Sequence, residues 1–76
     1  MAGKVLDVKG LKCPLPLLKA KKALKDVAPG ETLEVLTTDP SSVIDFTVFC
    51  DTSGNELVEQ GEADGTYRFL IRRDQD

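Results

Sequence analysis

The alternation of apolar and polar positions along the chain predicts four strands and two helices in the order βαβαββ. The strands are predicted over residues 4–8, 32–38, 56–62 and 67–72, where alternating or β-branched residues are concentrated. The helices are predicted over residues 14–27 and from about 40 to 51 or 52. The first of them has apolar residues at spacings of three and four, as on a buried helix face: Leu17, Ala20, Leu24 and Val27.

Proline and glycine residues set the predicted limits of these elements. Residues 29–30, Pro-Gly, end the first helix, and residues 53–55, Ser-Gly-Asn, end the second. Asp39 followed by Pro40 is typical of a helix start, with the aspartate as the capping residue and the proline in the first helical position. Residues 63–65, Ala-Asp-Gly, predict a tight turn between the last two strands.

Two successive strand–helix–strand units predict a two-layer α/β sandwich. Parallel strands joined through helices have right-handed crossovers, so both helices should cover the same face of the sheet. Both helices then begin at the edge where the parallel strands end, which is where sites in open α/β sheets are usually found. Cys13 and Asp39 are therefore expected to be neighbours in space, although they are 26 residues apart.

The length of 76 residues predicts a single domain over residues 1–76. A domain of this size buries only about 60% of the surface that its unfolded chain exposes. A reacting group must therefore lie near the surface, and a large partner must be met face to face. No apolar run approaches the roughly 20 residues of a membrane helix, and the first residues lack a signal-peptide core. A cytoplasmic protein without membrane association is expected.

The residue types exclude several kinds of site. The chain has no histidine, so it cannot form a Cys–His catalytic pair or the usual zinc sets of Cys and His, and no metal site is predicted. Its two cysteines are too few for a secreted disulfide framework. A thiol redox protein is an alternative, but position 16 is a proline, where a C-x-x-C motif that starts at Cys13 would have its resolving cysteine.

Positive charge is concentrated in the first third of the chain. Residues 1–25 hold seven lysines and one acid, whereas residues 26–76 hold three arginines and twelve acids, for a net charge of -3. This asymmetry fits either a solvated helix face or a field that attracts an acidic partner or stabilises an anion. An alternative function is a non-catalytic regulatory or RNA-binding module that uses the lysine-rich face. A sequence pI near 4.8 and the lack of interleaved aromatic and basic residues disfavour it.

The segment Cys13-Pro14-Leu15-Pro16 is the strongest candidate for a site. Cys13 is predicted at the helix cap position, where Ser, Thr, Asp or Asn would cap better, so the sulfur should have a task of its own. Pro14 and Pro16 are tolerated in the first turn and make the helix start rigid, which leaves the N–H groups of Leu15 and Leu17 facing the cap. The helix N-terminus and nearby lysines then favour thiolate over thiol. A buried, inert structural cysteine is the alternative.

The chain resembles the TusA/SirA-like sulfurtransferase family. Leu6-Asp7, Gly10 and the Cys-Pro-Leu-Pro segment match the signature L-D-x-x-G-x-x-C-P-x-P, and residues 29–31, 39–40 and 67–72 match as well. The resemblance covers essentially the whole chain. It implies a sheet with strand order 1-2-4-3 and an antiparallel fourth strand.

The same resemblance implies a sulfurtransferase that acts as a sulfur carrier. Cys13 would accept sulfane sulfur as a persulfide from a cysteine desulfurase or a rhodanese, and pass it to an acceptor cysteine on a DsrE-like or TusD-like protein. Transfer-RNA thiolation and cytoplasmic sulfur oxidation are equally compatible destinations, and a stoichiometric shuttle is as compatible as a catalyst. No cofactor and no direct contact with nucleic acid are expected. A monomer is expected, since no apolar face should be left once both helices pack on the sheet.

Other residues are assigned supporting roles. Gly10 either lets its loop approach the helix start closely or forms a plain turn. Asp39 is expected to cap the second helix, and orienting a partner or tuning Cys13 is a second hypothesis for it. Cys50 is expected to be a small core residue rather than a resolving cysteine. Three lysines are expected either to form a docking patch or to be merely solvated: Lys12, Lys19 and Lys22.

Overall fold

Six elements follow one another in the predicted order in the computed structural model, which describes residues 4–74. Their bounds are β1 (Lys4–Asp7), α1 (Leu15–Leu24), β2 (Thr32–Thr37), α2 (Ser42–Ser53), β3 (Glu56–Ala63) and β4 (Thr66–Arg72). Among these elements, neither helix is long and apolar enough to cross a membrane. The sequence also predicts a frayed tail over residues 73–76, of which residues 75 and 76 lie outside the described range.

The four strands form one mixed sheet in the order β1-β2-β4-β3. β1 pairs with β2 in parallel, with Leu6 opposite Val35. β4 lies between β2 and β3 and is antiparallel to both, with Phe69 opposite Val35 on one side and Gln60 on the other. The order and the antiparallel fourth strand are those that the family resemblance implies.

The core lies between the sheet and the two helices. β2 has its alternate residues buried, and so has the end of β4, which contributes Phe69 and Ile71. Both helices pack against these residues: Ala20 of α1 and Phe46 of α2 are completely buried. The ring of Phe46 stacks on that of Phe69 with 4.8 Å between centroids. Both helices start at the same edge of the sheet, because each follows one of the two parallel strands, β1 and β2.

α1 is shorter than the sequence predicts. It begins at Leu15, with Pro14 in the cap position, and it ends at Leu24 rather than at Val27. The chain continues beyond Leu24 in tight turns, in which the N–H of Val27 donates to the carbonyl of Leu24 at 3.1 Å. Val27 therefore stays in the core, as its spacing indicates, although it lies outside the helix.

An apolar surface remains on the outer sides of the two helices. Leu15 and Leu18 of α1 and Ile44 and Val48 of α2 are between 46% and 70% exposed. The expectation that no apolar face is left was wrong, because these positions lie on the helix sides that point away from the sheet. The monomeric state stays a prediction.

Candidate functional site

Two loops meet where β1 and β2 end, and an open cavity of about 380 Å³ lies between them. Residues 10–13 of the β1–α1 loop form one wall, and residues 38–41 of the β2–α2 loop form the other. The N–H of Gly10 donates to Thr38 Oγ1 at 2.8 Å and so joins the two walls. The cavity combines the sequence motif around Cys13 with the start of the second helix, as the topology predicts.

Asp39 connects the same two loops through both carboxylate oxygens. Its Oδ2 accepts the backbone N–H of Cys13 at 2.5 Å, and its Oδ1 accepts the N–H of Ser41 at 3.0 Å. The predicted proximity of Cys13 and Asp39 is confirmed. The N–H of Ser41 above all, then that of Cys13 and the charge of Lys12, hold the pKa of Asp39 below its usual value.

The predicted role of Asp39 as the cap of α2 was wrong. The helix begins at Ser42, and Ser41 occupies its cap position. The carbonyl of Asp39 accepts the N–H of Ser42 at 3.0 Å, so residues 39–42 form a turn ahead of the helix. The Asp39 side chain closes this turn and holds Cys13 at the same time. Pro40 accordingly lies in the turn and not in the first helical position.

Cys13 is exposed and lies one residue before the cap position of α1, so its predicted place as the cap residue was wrong. Pro14 occupies that position, and its carbonyl accepts the N–H of Leu18 at 3.0 Å. The N–H of Leu15 donates to the carbonyl of Lys12 at 2.9 Å and is therefore not directed at the sulfur, contrary to expectation. Pro16 lies in the first turn of α1, as predicted, and is buried.

The sulfur of Cys13 has an unexpected partner in Asp45. The thiol donates to Asp45 Oδ2 at 3.0 Å, and Asp45 lies in the first turn of α2. This hydrogen bond, followed by partial desolvation and the negative charges of Asp45 and Asp39, raises the pKa of Cys13. The expectation that the surroundings of Cys13 favour the thiolate was therefore wrong for the free protein, because the charges that act on the sulfur are carboxylates and not lysines.

Asp45 was missed at the level of sequence because an acid in the first turn of a helix is commonplace. It interacts favourably with the helix dipole and needs no further explanation. The signal that could have found it was the topology. If both helices start at one edge, the first turn of α2 must lie near Cys13, and Asp45 is the acid in that turn.

Gly10 has a positive φ of 86°. A side chain at this position would meet nothing within 4 Å. The interpretation as a turn residue is therefore confirmed, and the interpretation as a point of close approach was wrong. Glycine suits this turn because other residues rarely adopt such a φ.

Of the three lysines named as docking candidates, one lies at the site and two lie further along α1. Lys12 is exposed on the cavity wall, and Lys19 and Lys22 are exposed on α1. Within residues 4–74, none of them takes part in an ion pair. Their neighbour Lys21 lies 5.5 Å from the ring centroid of Phe49. These exposed lysines are thus available to a partner, while the docking role stays a prediction.

Cys50 is in the core, as predicted. It is buried on the inner side of α2, and burial raises its pKa to about 11. A thiol in this state has almost no thiolate at neutral pH. Cys13 is therefore the one cysteine that a second protein can reach.

Comparison with known proteins shows the family. The family model described as "Sulfurtransferase TusA" matches residues 4–73. The chain belongs to the TusA family. Members of the TusA family with curated names include the sulfur carrier protein TusA of Allochromatium vinosum, which is 50% identical over 68 residues, 90% of each chain. The sulfur carrier protein TusA of Pseudomonas aeruginosa is 46% identical over 72 residues, 95% of this chain and 91% of the relative.

The TusA-family fold is also found among solved structures. The crystal structure of a SirA-like protein from Desulfitobacterium hafniense superposes with a TM-score of 0.79 at 27% sequence identity. The match covers 90% of this chain and 93% of the other. Both comparisons agree with the family resemblance that the motif around Cys13 carries.

Proposed function

We propose that this protein is a sulfur carrier that holds sulfane sulfur as a persulfide on Cys13. The observation that carries the proposal is the contrast between the two cysteines: Cys13 is exposed on a cavity wall, and Cys50 is buried. Membership of the TusA family and the names of the curated relatives support the same role. The carrier acts as a sulfurtransferase in that each cycle moves one sulfur atom and regenerates the free thiol.

The chemistry is thiol exchange on a persulfide. Cys13 Sγ forms a bond to the terminal sulfur of a donor persulfide, and the S–S bond of the donor breaks. The donor cysteine leaves with the electron pair and takes up the proton that Cys13 loses. An acceptor thiol then attacks the terminal sulfur on Cys13 in the same way. No oxidant or cofactor is needed, since the sulfur stays covalently bound and its oxidation state is conserved.

The proposed donor is a cysteine desulfurase or a rhodanese, and the proposed acceptor is a DsrE-like or TusD-like protein. The sulfur then serves transfer-RNA thiolation or sulfur oxidation. A cytoplasmic location is part of the proposal, because reducing compartments keep a carrier thiol free. The exposed lysines Lys12, Lys19 and Lys22 would attract an acidic partner surface, and the apolar positions Leu15 and Leu18 of α1 would contact it.

Intact-mass measurement tests the carrier function. The protein is incubated with a desulfurase and cysteine, or with a rhodanese and thiosulfate, and is then measured without reductant. We expect a gain of one sulfur atom, located on Cys13 by fragmentation. The Cys13→Ser variant should gain none, and the Cys50→Ser variant should load like the original protein. Absence of the sulfur from Cys13 with both donors would exclude the carrier function.

A second candidate function is binding of RNA through the lysine face of α1. The observation that favours it is the row of exposed lysines without ion-pair partners in the described residues: Lys19, Lys22 and Lys25. Fluorescence anisotropy with a labelled transfer RNA separates the two functions. RNA binding that survives Cys13→Ser and weakens steeply with salt would support this second function.

A further inference from the structure

Asp45 lies where it can control the reactivity of Cys13. The two residues come from different segments, the β1–α1 loop and the first turn of α2, and the thiol donates to Asp45 Oδ2 at 3.0 Å. Asp45 is only partly exposed, whereas Cys13 is exposed. Both residues are therefore accessible from outside, Cys13 more so than Asp45.

Negative charge prevails around the sulfur. Asp45 faces Cys13 from α2, and Asp39 faces it from the β2–α2 loop. On the β1–α1 loop itself, Lys12 interacts with Asp39. An anionic sulfur, whether thiolate or persulfide, would thus have two carboxylates beside it. The arrangement suits a thiol at rest and disfavours the nucleophile that sulfur transfer needs.

We propose that Asp45 is a positioning residue that holds Cys13 of the empty carrier as a hydrogen-bonded thiol, and that a partner frees the sulfur by placing a cationic group against Asp45. The proposal rests on the proposed carrier function and adds the chemistry that partners must supply. The cation takes over the carboxylate as its own hydrogen-bond acceptor. The thiol loses that acceptor, and its proton can leave with the departing donor cysteine.

The outer side of α2 fits a partner of this kind. Ile44 and Val48 are 70% and 53% exposed; Ile44 directly precedes Asp45 in the helix, and Val48 follows it by three residues. Residues 42–53 contain two acids, Asp45 and Asp51, and no basic residue. The surface around Asp45 therefore favours an apolar contact that carries an arginine or lysine. This requirement is opposite in sign to that of the lysine face on α1.

The first test is the pH dependence of Cys13 alkylation by iodoacetamide, a neutral reagent, followed by intact mass. In Asp45→Asn we expect the midpoint of the titration to fall by about half a unit or more, so that alkylation at neutral pH is about three times faster. The control is Asp51→Asn, which removes an exposed acid from the same helix and should titrate like the original protein. A midpoint that is the same in Asp45→Asn as in the original protein would overturn the proposal.

The second test compares two disulfides that the Cys13 sulfur attacks in thiol–disulfide exchange: cystamine, a dication, and 2-hydroxyethyl disulfide, which is neutral. The original protein should prefer cystamine, and the preference should fall about threefold in Asp45→Asn while Asp51→Asn retains it. The conservative Asp45→Glu variant should also retain it, since the charge remains. An unchanged preference in Asp45→Asn contradicts the cationic partner.

Both tests use the free protein without sulfur donors, so their outcome is independent of whether persulfide forms on Cys13. Circular dichroism checks that each variant is folded. Should Asp45→Asn fail to fold, Asp45→Ser gives the same two readouts, because it also removes the carboxylate and is small enough for this partly exposed position. Absence of persulfide from Cys13 of the original protein in the loading test would count against the carrier function, whereas an unchanged titration in the Asp45 variants would count against the role of Asp45.

Discussion

The carboxylate of Asp39 accepts the backbone N–H of Cys13 at 2.5 Å across 26 residues of sequence. Its other oxygen accepts the N–H of Ser41 just before α2. One side chain therefore fixes the backbone that carries the sulfur relative to the helix that carries Asp45. The contact between Cys13 and Asp45 depends on this arrangement.

Replacement of Asp39 by asparagine should make the folding stability less dependent on pH in the acidic range. The pKa of Asp39 is held below its ordinary value of 3.8 in the folded protein. Asp39 therefore binds a proton more readily in the unfolded state than in the folded state. The stabilisation that its carboxylate gives to the folded protein is present above about pH 4 and is lost as the pH falls through the pKa of Asp39 in the folded state. At neutral pH we expect the melting temperature of Asp39→Asn to be lower by roughly a few degrees.

Thermal unfolding followed by circular dichroism between neutral and strongly acidic pH measures this effect. The difference between the original protein and Asp39→Asn should close at the acid end, where both side chains are uncharged. A difference that stays constant across the whole range would show that the charge of Asp39 does not stabilise the folded protein.

Truncation of Phe46 should cost far more than truncation of a neighbour on the same helix. Phe46 is 0% exposed and stacks on Phe69, whereas Ile44 is 70% exposed. We expect Phe46→Ala to lower the free energy of unfolding by about 3–5 kcal/mol. For a domain this small, such a loss is a large fraction of the total stability. Ile44→Ala should stay within about 0.5 kcal/mol of the original protein. Urea titration measures both, and similar losses would be inconsistent with this core.

Gly54 should tolerate alanine poorly, because it ends α2 with a φ of 86°. An added Cβ would also lie 2.5 Å from Asp74 Oδ2, although that side chain can move away. We expect Gly54→Ala to cost about 1 kcal/mol of unfolding free energy in a urea titration. The matched control is Gly61→Ala in β3, where a Cβ meets nothing within 4 Å. Equal effects of the two substitutions would argue against a left-handed backbone conformation of Gly54 at the end of α2.

Native labelling should distinguish the two cysteines. At about pH 8, iodoacetamide should modify Cys13 and leave Cys50 unmodified, since a pKa of about 11 leaves Cys50 almost fully protonated and its sulfur is buried. In denaturant both should react. Peptide mapping of the labelled protein measures this, and modification of Cys50 in the folded protein at a rate near that of Cys13 would contradict its burial.

Local patterns explain why the strands could be predicted. In β4 the buried positions Phe69 and Ile71 alternate with Arg68, Leu70 and Arg72, and this alternation is visible in the sequence itself. The Asp-Gly pair at residues 64–65 has positive φ at both positions, as its composition predicts for a two-residue hairpin turn. These features depend on neighbouring residues alone.

Helix starts were less predictable, because proline fits several positions in and before a first turn. Pro14 proved to be the cap residue of α1, and Pro40 lies in a turn ahead of α2. The fixed φ of proline is compatible with all of these positions, and the absent N–H is harmless in each of them. Which of these positions the proline takes depends on hydrogen bonds between loops, such as that from the N–H of Cys13 to Asp39.

The ionisation of Cys13 could not be read from the motif. Lysines near it in sequence, such as Lys12, suggested a positive environment, but the charges that act on the thiol are those of Asp45 and Asp39. Their proximity results from the packing of α2 beside α1, over sequence separations of 32 and 26 residues. Neither propensity nor periodicity contains this information.

The strand directions leave Cys13 free when the protein is attached to something else. Lys4 pairs with Leu33 near the start of β2, and Arg72 pairs with Thr32, so both described ends of the chain lie at the amino edge of β2. Cys13 lies beyond the opposite edge. A linker, a fused domain or an immobilising tether at either end would therefore present the sulfur outward, and the carrier could be used while anchored.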